Sequence, residues 1–111
     1  MSGLTTHVLD TARGRPAASV PLRLEHAAAD GWSEAGRSTT DADGRARDLH
    51  DGPLEAGRYR LTFDTGAYFE AAGVKAFYPE VSVLFEVTDP GEHHHVPLLL
   101  NPFGYSTYRG S

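Results

Sequence analysis

His93-His94-His95-Val96-Pro97-Leu98-Leu99-Leu100-Asn101-Pro102-Phe103-Gly104-Tyr105-Ser106-Thr107-Tyr108-Arg109-Gly110-Ser111 reads as a β-hairpin. An apolar run meets Asn101-Pro102-Phe103-Gly104, which has turn chemistry, and an aromatic, hydroxyl-rich run returns from it. Side chains alternate faces along a strand, so His93 and His95 point one way and His94 the other. The two arms run in opposite directions, which brings the start of the first beside the end of the second. His93 and His95 are therefore expected near Tyr108, Arg109 and Ser111. Terminal segments fray unless tied down, so a site built here requires support from the rest of the fold.

Working outward from the hairpin, the remainder of the chain is strand and turn. Leu4 to Asp10 alternates Leu4, Thr6 and Val8 against Thr5, His7 and Leu9. Thr11 to Pro16 breaks the pattern with glycine and proline. Ser19 to His26 resumes it, with Val20, Leu22 and Leu24 on one face. Asp30-Gly31 is a hairpin turn signal before a strand from Trp32 to Thr40, and Asp41-Ala42-Asp43-Gly44 is the next turn. Arg45 opens a short extended link, and Tyr59 to Asp64 is a further amphipathic strand. Gly66 to Gly73 is the one expected helix, about two turns of alanine- and glutamate-containing sequence that Gly73 can end. Phe77-Tyr78-Pro79 is a loop, Glu80 to Val87 a strand, and Asp89-Pro90-Gly91 a turn into the histidine hairpin. Seven or eight short strands at spacings of roughly ten residues predict an all-β sandwich in one domain spanning residues 1–111.

Bulk properties narrow the function. The sequence has 10 Lys and Arg against 15 Asp and Glu, a formal net charge of -5, which repels phosphate backbones and argues against nucleic acid. No apolar run is long enough to span a membrane, and Met1 to His7 does not resemble a secretory signal. With no cysteine there is neither a disulfide framework nor a thiolate nucleophile, and a cytoplasmic location is expected.

The candidate chemistry centres on the histidines and on Arg45. Six histidines are present and three are adjacent; imidazole titrates nearest neutrality, which suits it to moving protons. The plain reading of His94, His26 and His50 is that each faces solvent. His7 lies within an apolar and hydroxyl-rich strand, and its plain reading is a partly buried histidine bonded to backbone. Arg45 reads as a residue following a turn, with Arg47 two positions on as a rival for any role it has. Metal binding by His7, His93 and His95 rests only on a weak H-x-H spacing, so no metal is expected. Asp41 and Asp43 begin like a calcium loop but lack its glutamate, which leaves a turn. The apolar run Val96 to Leu100, with Phe103 and Tyr105, is a candidate interface.

Three segments, Leu4-Thr5-Thr6-His7-Val8-Leu9-Asp10, His95-Val96-Pro97-Leu98-Leu99-Leu100 and Tyr105-Ser106-Thr107-Tyr108-Arg109-Gly110-Ser111, resemble the 5-hydroxyisourate hydrolase family, the transthyretin-related enzymes of urate degradation. The similarity runs essentially end to end, and Tyr108-Arg109-Gly110-Ser111 is its most specific part. The resemblance implies a transthyretin-like sandwich of two four-stranded sheets with a short helix after the fifth strand. It implies hydrolysis of 5-hydroxyisourate to 2-oxo-4-hydroxy-4-carboxy-5-ureidoimidazoline without a cofactor, in a homotetramer that is a dimer of dimers with sites in the clefts between dimers. Carried over residue by residue, it makes His7, Arg45 and His95 catalytic, and it puts Tyr108, Arg109, Ser111 and His93 with them around the substrate. His94 stands where relatives often carry an aromatic residue. Two other functions remain open on the residues: a transthyretin-like carrier, which would have small or apolar groups in place of His7, Arg45 and His95, and a structural or adhesive β-module.

Overall fold

Strand β1 (Leu4–Asp10) runs parallel to β8 (His94–Asn101), with Thr5 opposite His95 and His7 opposite Pro97. The structure, a computed structural model, describes residues 3–111; Met1 and Ser2, which the expected domain and the reading of the N-terminus include, lie outside the described residues. Beyond β8 the sheet continues into β9 (Gly104–Thr107) through the expected hairpin, which pairs Asn101 with Gly104. The other edge of β1 carries two short antiparallel partners, β2 (Arg15–Pro16) and β5 (Arg45–Ala46). The second sheet is antiparallel throughout, in the order β4 (Gly31–Thr39), β3 (Pro21–Ala28), β6 (Gly57–Phe63), β7 (Val81–Val87). The expected sandwich is present, with one correction to its count: the first sheet has five strands. The additional pieces, β2 and β5, are two residues each, too short to leave an alternating pattern in the sequence.

The core lies between the sheets. Leu4, Val8, Leu98 and Leu100 of the first sheet join Leu24, Leu61, Phe63, Val81 and Val87 of the second in one buried cluster. Truncating a residue such as Leu98 to alanine costs about 2–5 kcal/mol through lost transfer energy and the cavity left behind. The helix, α1 (Thr65–Ala71), overlaps the expected stretch but starts one residue before Gly66 and ends two before Gly73; Asp64 caps it by accepting from the Ala67 N–H at 3.1 Å. Tyr68 of α1 donates to Asp10 Oδ2 at 2.7 Å, tying the helix to the end of β1.

Three expectations about exposure are corrected. His94 does point opposite to His93 and His95, but that face is the interior: its side chain is 7% exposed, and its Nδ1 is buried without a hydrogen-bond partner among the described residues. His26 is half-buried and stacks on Tyr59 with ring centroids 4.3 Å apart, and His50 is half-buried with Nδ1 3.3 Å from the Gly52 carbonyl. Val96, Leu98 and Leu100 are core, so those three residues of the candidate interface are not surface; Leu99 is half-exposed, and Phe103 and Tyr105 are exposed. Among the described residues no helix is long and apolar enough to cross a membrane.

Candidate active site

The outer face of the first sheet gathers the polar groups. Asp41 organises the turn that delivers Arg45: its Oδ1 accepts from the Asp43 N–H at 2.9 Å and the Arg45 N–H at 3.0 Å. The Arg45 N–H bond, more than any other contact, holds the Asp41 carboxyl below the usual carboxylate range. Gly44 closes the turn at φ 75°, and a Cβ there would fall 2.4 Å from the Val8 carbonyl oxygen, so only glycine fits. In the resulting β1–β5 pairing, Arg45 lies directly opposite His7. Among the described residues no carboxylate is within ion-pair distance of the Arg45 guanidinium, whereas Arg47 is 3.4 Å from Asp41 Oδ2.

Each histidine of this face is held by a specific contact. His7 Nε2 is 2.9 Å from the Asp43 carbonyl; a carbonyl only accepts, so Nε2 carries a proton and Nδ1 is the lone-pair nitrogen of the neutral ring. His95 Nδ1 is 2.8 Å from the Thr5 hydroxyl, which is also 2.9 Å from His93 Nε2. On the other side, the Gly110 N–H donates to the His95 carbonyl at 2.9 Å, and a Cβ added at Gly110 would fall 2.4 Å from His95 Cδ2. The imidazole is thus packed directly against the final turn of chain, which ties down the tail. Burial, and after it the nearby Arg45 guanidinium, holds His95 below the ordinary imidazole range, and a hydrogen bond to the Thr5 backbone partly offsets this.

Thr5, Thr6, Arg45, Arg47, His93, His95 and Ser111 line one open hollow of about 220 Å³. His7 flanks it beside Arg45. Tyr108 and Arg109 are not in this hollow within one protomer. They line a separate recess of about 250 Å³ toward β7, which His94 and His95 also border, and Arg109 is ion-paired with Glu92. Among the described residues no three side chains of histidine, aspartate or glutamate converge as a metal ligand set. The residue missing from the sequence reading of the site is Thr5. Alternation already puts it on the face of His7; the parallel register with β8 then sets it between His93 and His95.

A family model described as HIUase/Transthyretin family matches residues 4–110. The chain belongs to the HIUase/Transthyretin family. A 5-hydroxyisourate hydrolase of Caulobacter vibrioides is 46% identical over 115 residues and covers 100% of both chains. Among solved structures, the 5-hydroxyisourate hydrolase of Klebsiella pneumoniae superposes with a TM-score of 0.89 at 39% identity, covering 100% of each chain. A sea bream transthyretin in complex with thyroxine superposes with a TM-score of 0.91 at 36% identity, covering 97% of this chain and 94% of that one. The HIUase/Transthyretin family thus includes enzymes and a hormone-bound protein on one fold, so fold alone does not choose between them. The choice rests on the side chains of the hollow.

Proposed function

We propose that the protein hydrolyses 5-hydroxyisourate, opening its six-membered ring to give 2-oxo-4-hydroxy-4-carboxy-5-ureidoimidazoline, and that the outer face of β1, β5 and β8 carries the reaction. The observation that carries the assignment is the placement, in one hollow, of the Arg45 guanidinium, which has no carboxylate within ion-pair distance among the described residues, beside the half-buried His95 imidazole, whose pKa burial lowers. A neutral imidazole accepts a proton from water, the water oxygen bonds to the ring carbonyl carbon, and negative charge develops on the carbonyl oxygen. Arg45 is permanently cationic and presents a planar fork of donors to that oxygen. Collapse of the tetrahedral species breaks the C–N bond, and the leaving nitrogen takes the proton from an imidazolium. His7 and His95 divide the base and acid roles between them. Ser111 and His93 line the pocket, and no cofactor enters the scheme.

The carrier reading fares worse on the same grounds, because a hydrophobic hormone gains nothing from an unneutralised arginine and three imidazoles. Ultraviolet absorbance of freshly generated 5-hydroxyisourate separates the two: decay faster with the protein than without it is expected, and unchanged decay would refute the hydrolase.

We take the working form to be a homotetramer, a dimer of dimers, with sites in clefts that include Tyr108 and Arg109. Supporting this, Phe77 is 70% exposed and forms an aromatic chain with Tyr78 and Tyr105 beside the open edges of β7 and β9. Sedimentation should find tetramer, and a fully active monomer would contradict it. A cysteine-free chain needs no oxidising compartment, and we take the cytoplasm as its location.

A further inference from the structure

The Thr5 hydroxyl stands 2.9 Å from His93 Nε2 and 2.8 Å from His95 Nδ1. A hydroxyl has one proton and two lone pairs, so it can donate to at most one of these rings, and at least one ring presents an N–H to it. For His95 two cases follow. If Thr5 donates to His95 Nδ1, the proton of neutral His95 sits on Nε2. If Thr5 donates to His93 or to neither ring, His95 donates from Nδ1, and the Nε2 of the neutral ring is a bare lone pair.

The surroundings of the two rings decide between the arrangements. His93 is exposed at the rim of the hollow, where water can accept from its Nδ1–H. His95 is half-buried, its Cδ2 edge lies against Gly110, and its Nδ1 edge is held by Thr5. Nε2 is consequently the one nitrogen of His95 left to meet water or substrate. A lone pair there accepts a proton from water, and a proton there does not. We propose that Thr5 is a positioning residue that selects the His95 tautomer, donating to His93 Nε2 and accepting from His95 Nδ1–H so that His95 Nε2 faces the hollow as a base. This rests on the hydrolase reading above and assigns within it what that reading left open: His95 is the base, and His7 is the acid or orienting partner.

The test pairs nitrogen NMR of protein labelled in the histidine rings with kinetics of Thr5→Val, which keeps the β-branched shape and removes the hydroxyl, and of Thr5→Ser, which restores it. The wild-type spectrum should show His95 protonated at Nδ1 and bare at Nε2. In T5V the Nε2–H form should appear, with kcat falling about tenfold or more, the loss expected for one hydrogen bond that acts only on the reacting species. KM should stay within about twofold. T5S should recover most of kcat and the wild-type spectrum. A wild-type His95 protonated at Nε2 overturns the proposal, as does a T5V protein with unaltered kcat. Should T5V fold poorly, the wild-type spectrum decides alone. His95→Ala is the separating control: if it retains full activity, the site assignment fails; if it is inactive while T5V is normal, only the role of Thr5 fails.

Discussion

Arg60 on the outer face of the second sheet and Arg45 on that of the first have opposite surroundings. On the second sheet, Arg60 is 3.0 Å from Glu25 and lies 4.4 Å over the Trp32 ring, Arg23 is 3.8 Å from the same carboxylate, and Arg37 is 2.8 Å from Glu34. The Arg60 bond is the main reason the Glu25 carboxyl sits below its usual range. On the first sheet Arg45 has no carboxylate partner among the described residues and adjoins imidazoles instead. A neutralised cation has spent its field on a partner of the same chain. An unneutralised one in a hollow is available to an incoming oxygen that gains negative charge. Under the proposed hydrolase the contrast sets Arg45 apart from Arg60 and from Arg47, which lines the same hollow but is 3.4 Å from Asp41.

The largest effects should come from removing the groups of the first face proposed to move protons. His95→Ala and His7→Ala should each lower kcat by about 100- to 10,000-fold, the usual worth of a positioned acid or base, as measured by the rate of substrate decay under saturation. Arg45→Ala should cost about 100- to 1,000-fold, as loss of one oxyanion donor does. Next comes Gly110→Ala, in which the new methyl meets the His95 ring at a distance where something must move. A drop in kcat of at least about tenfold is expected, since small misplacements of a reacting group are costly, with a circular dichroism spectrum like that of wild type.

A smaller effect sharpens the electrostatic part of the contrast. Arg45 is one of the causes that lower the His95 pKa, so Arg45→Gln should raise it toward the ordinary imidazole value. Because the base must be neutral, the acid limb of the rate should move to higher pH in that variant. An NMR titration of His95 reads the shift directly, and no movement or a downward one would mean that the guanidinium field does not reach the ring. Smallest of all on activity, Arg60→Ala should leave the rate within about twofold, while loss of a half-buried charged hydrogen bond and a cation–π contact should cost about 1–3 kcal/mol of stability.

Local features of the molecule were legible in its sequence, and long-range ones were not. The Asn101 to Gly104 hairpin, the alternation of β1, β3 and β6 and the short helix after β6 all follow from turn chemistry and period, which act over a few residues. The parallel pairing of β1 with β8 joins opposite ends of the chain, and nothing in either segment specifies its register. That register is what brings Thr5 to His93 and His95, so Thr5 could be put on the right face but not in the site. His94 failed for a related reason. Its parity was correct, yet whether that face meets water or the second sheet depends on packing that alternation does not encode. The resemblance implied that Arg45 and His7 share a site, but their pairing opposite one another was not anticipated, because a two-residue strand leaves no pattern to read.

The most direct measurement compares two arginine truncations side by side, Arg45→Ala and Arg60→Ala, in the decay of freshly generated 5-hydroxyisourate. The account predicts that Arg60→Ala accelerates the decay as wild type does and that Arg45→Ala falls to a small fraction of that rate. Equal acceleration by both variants, or loss of activity in Arg60→Ala alone, would contradict it.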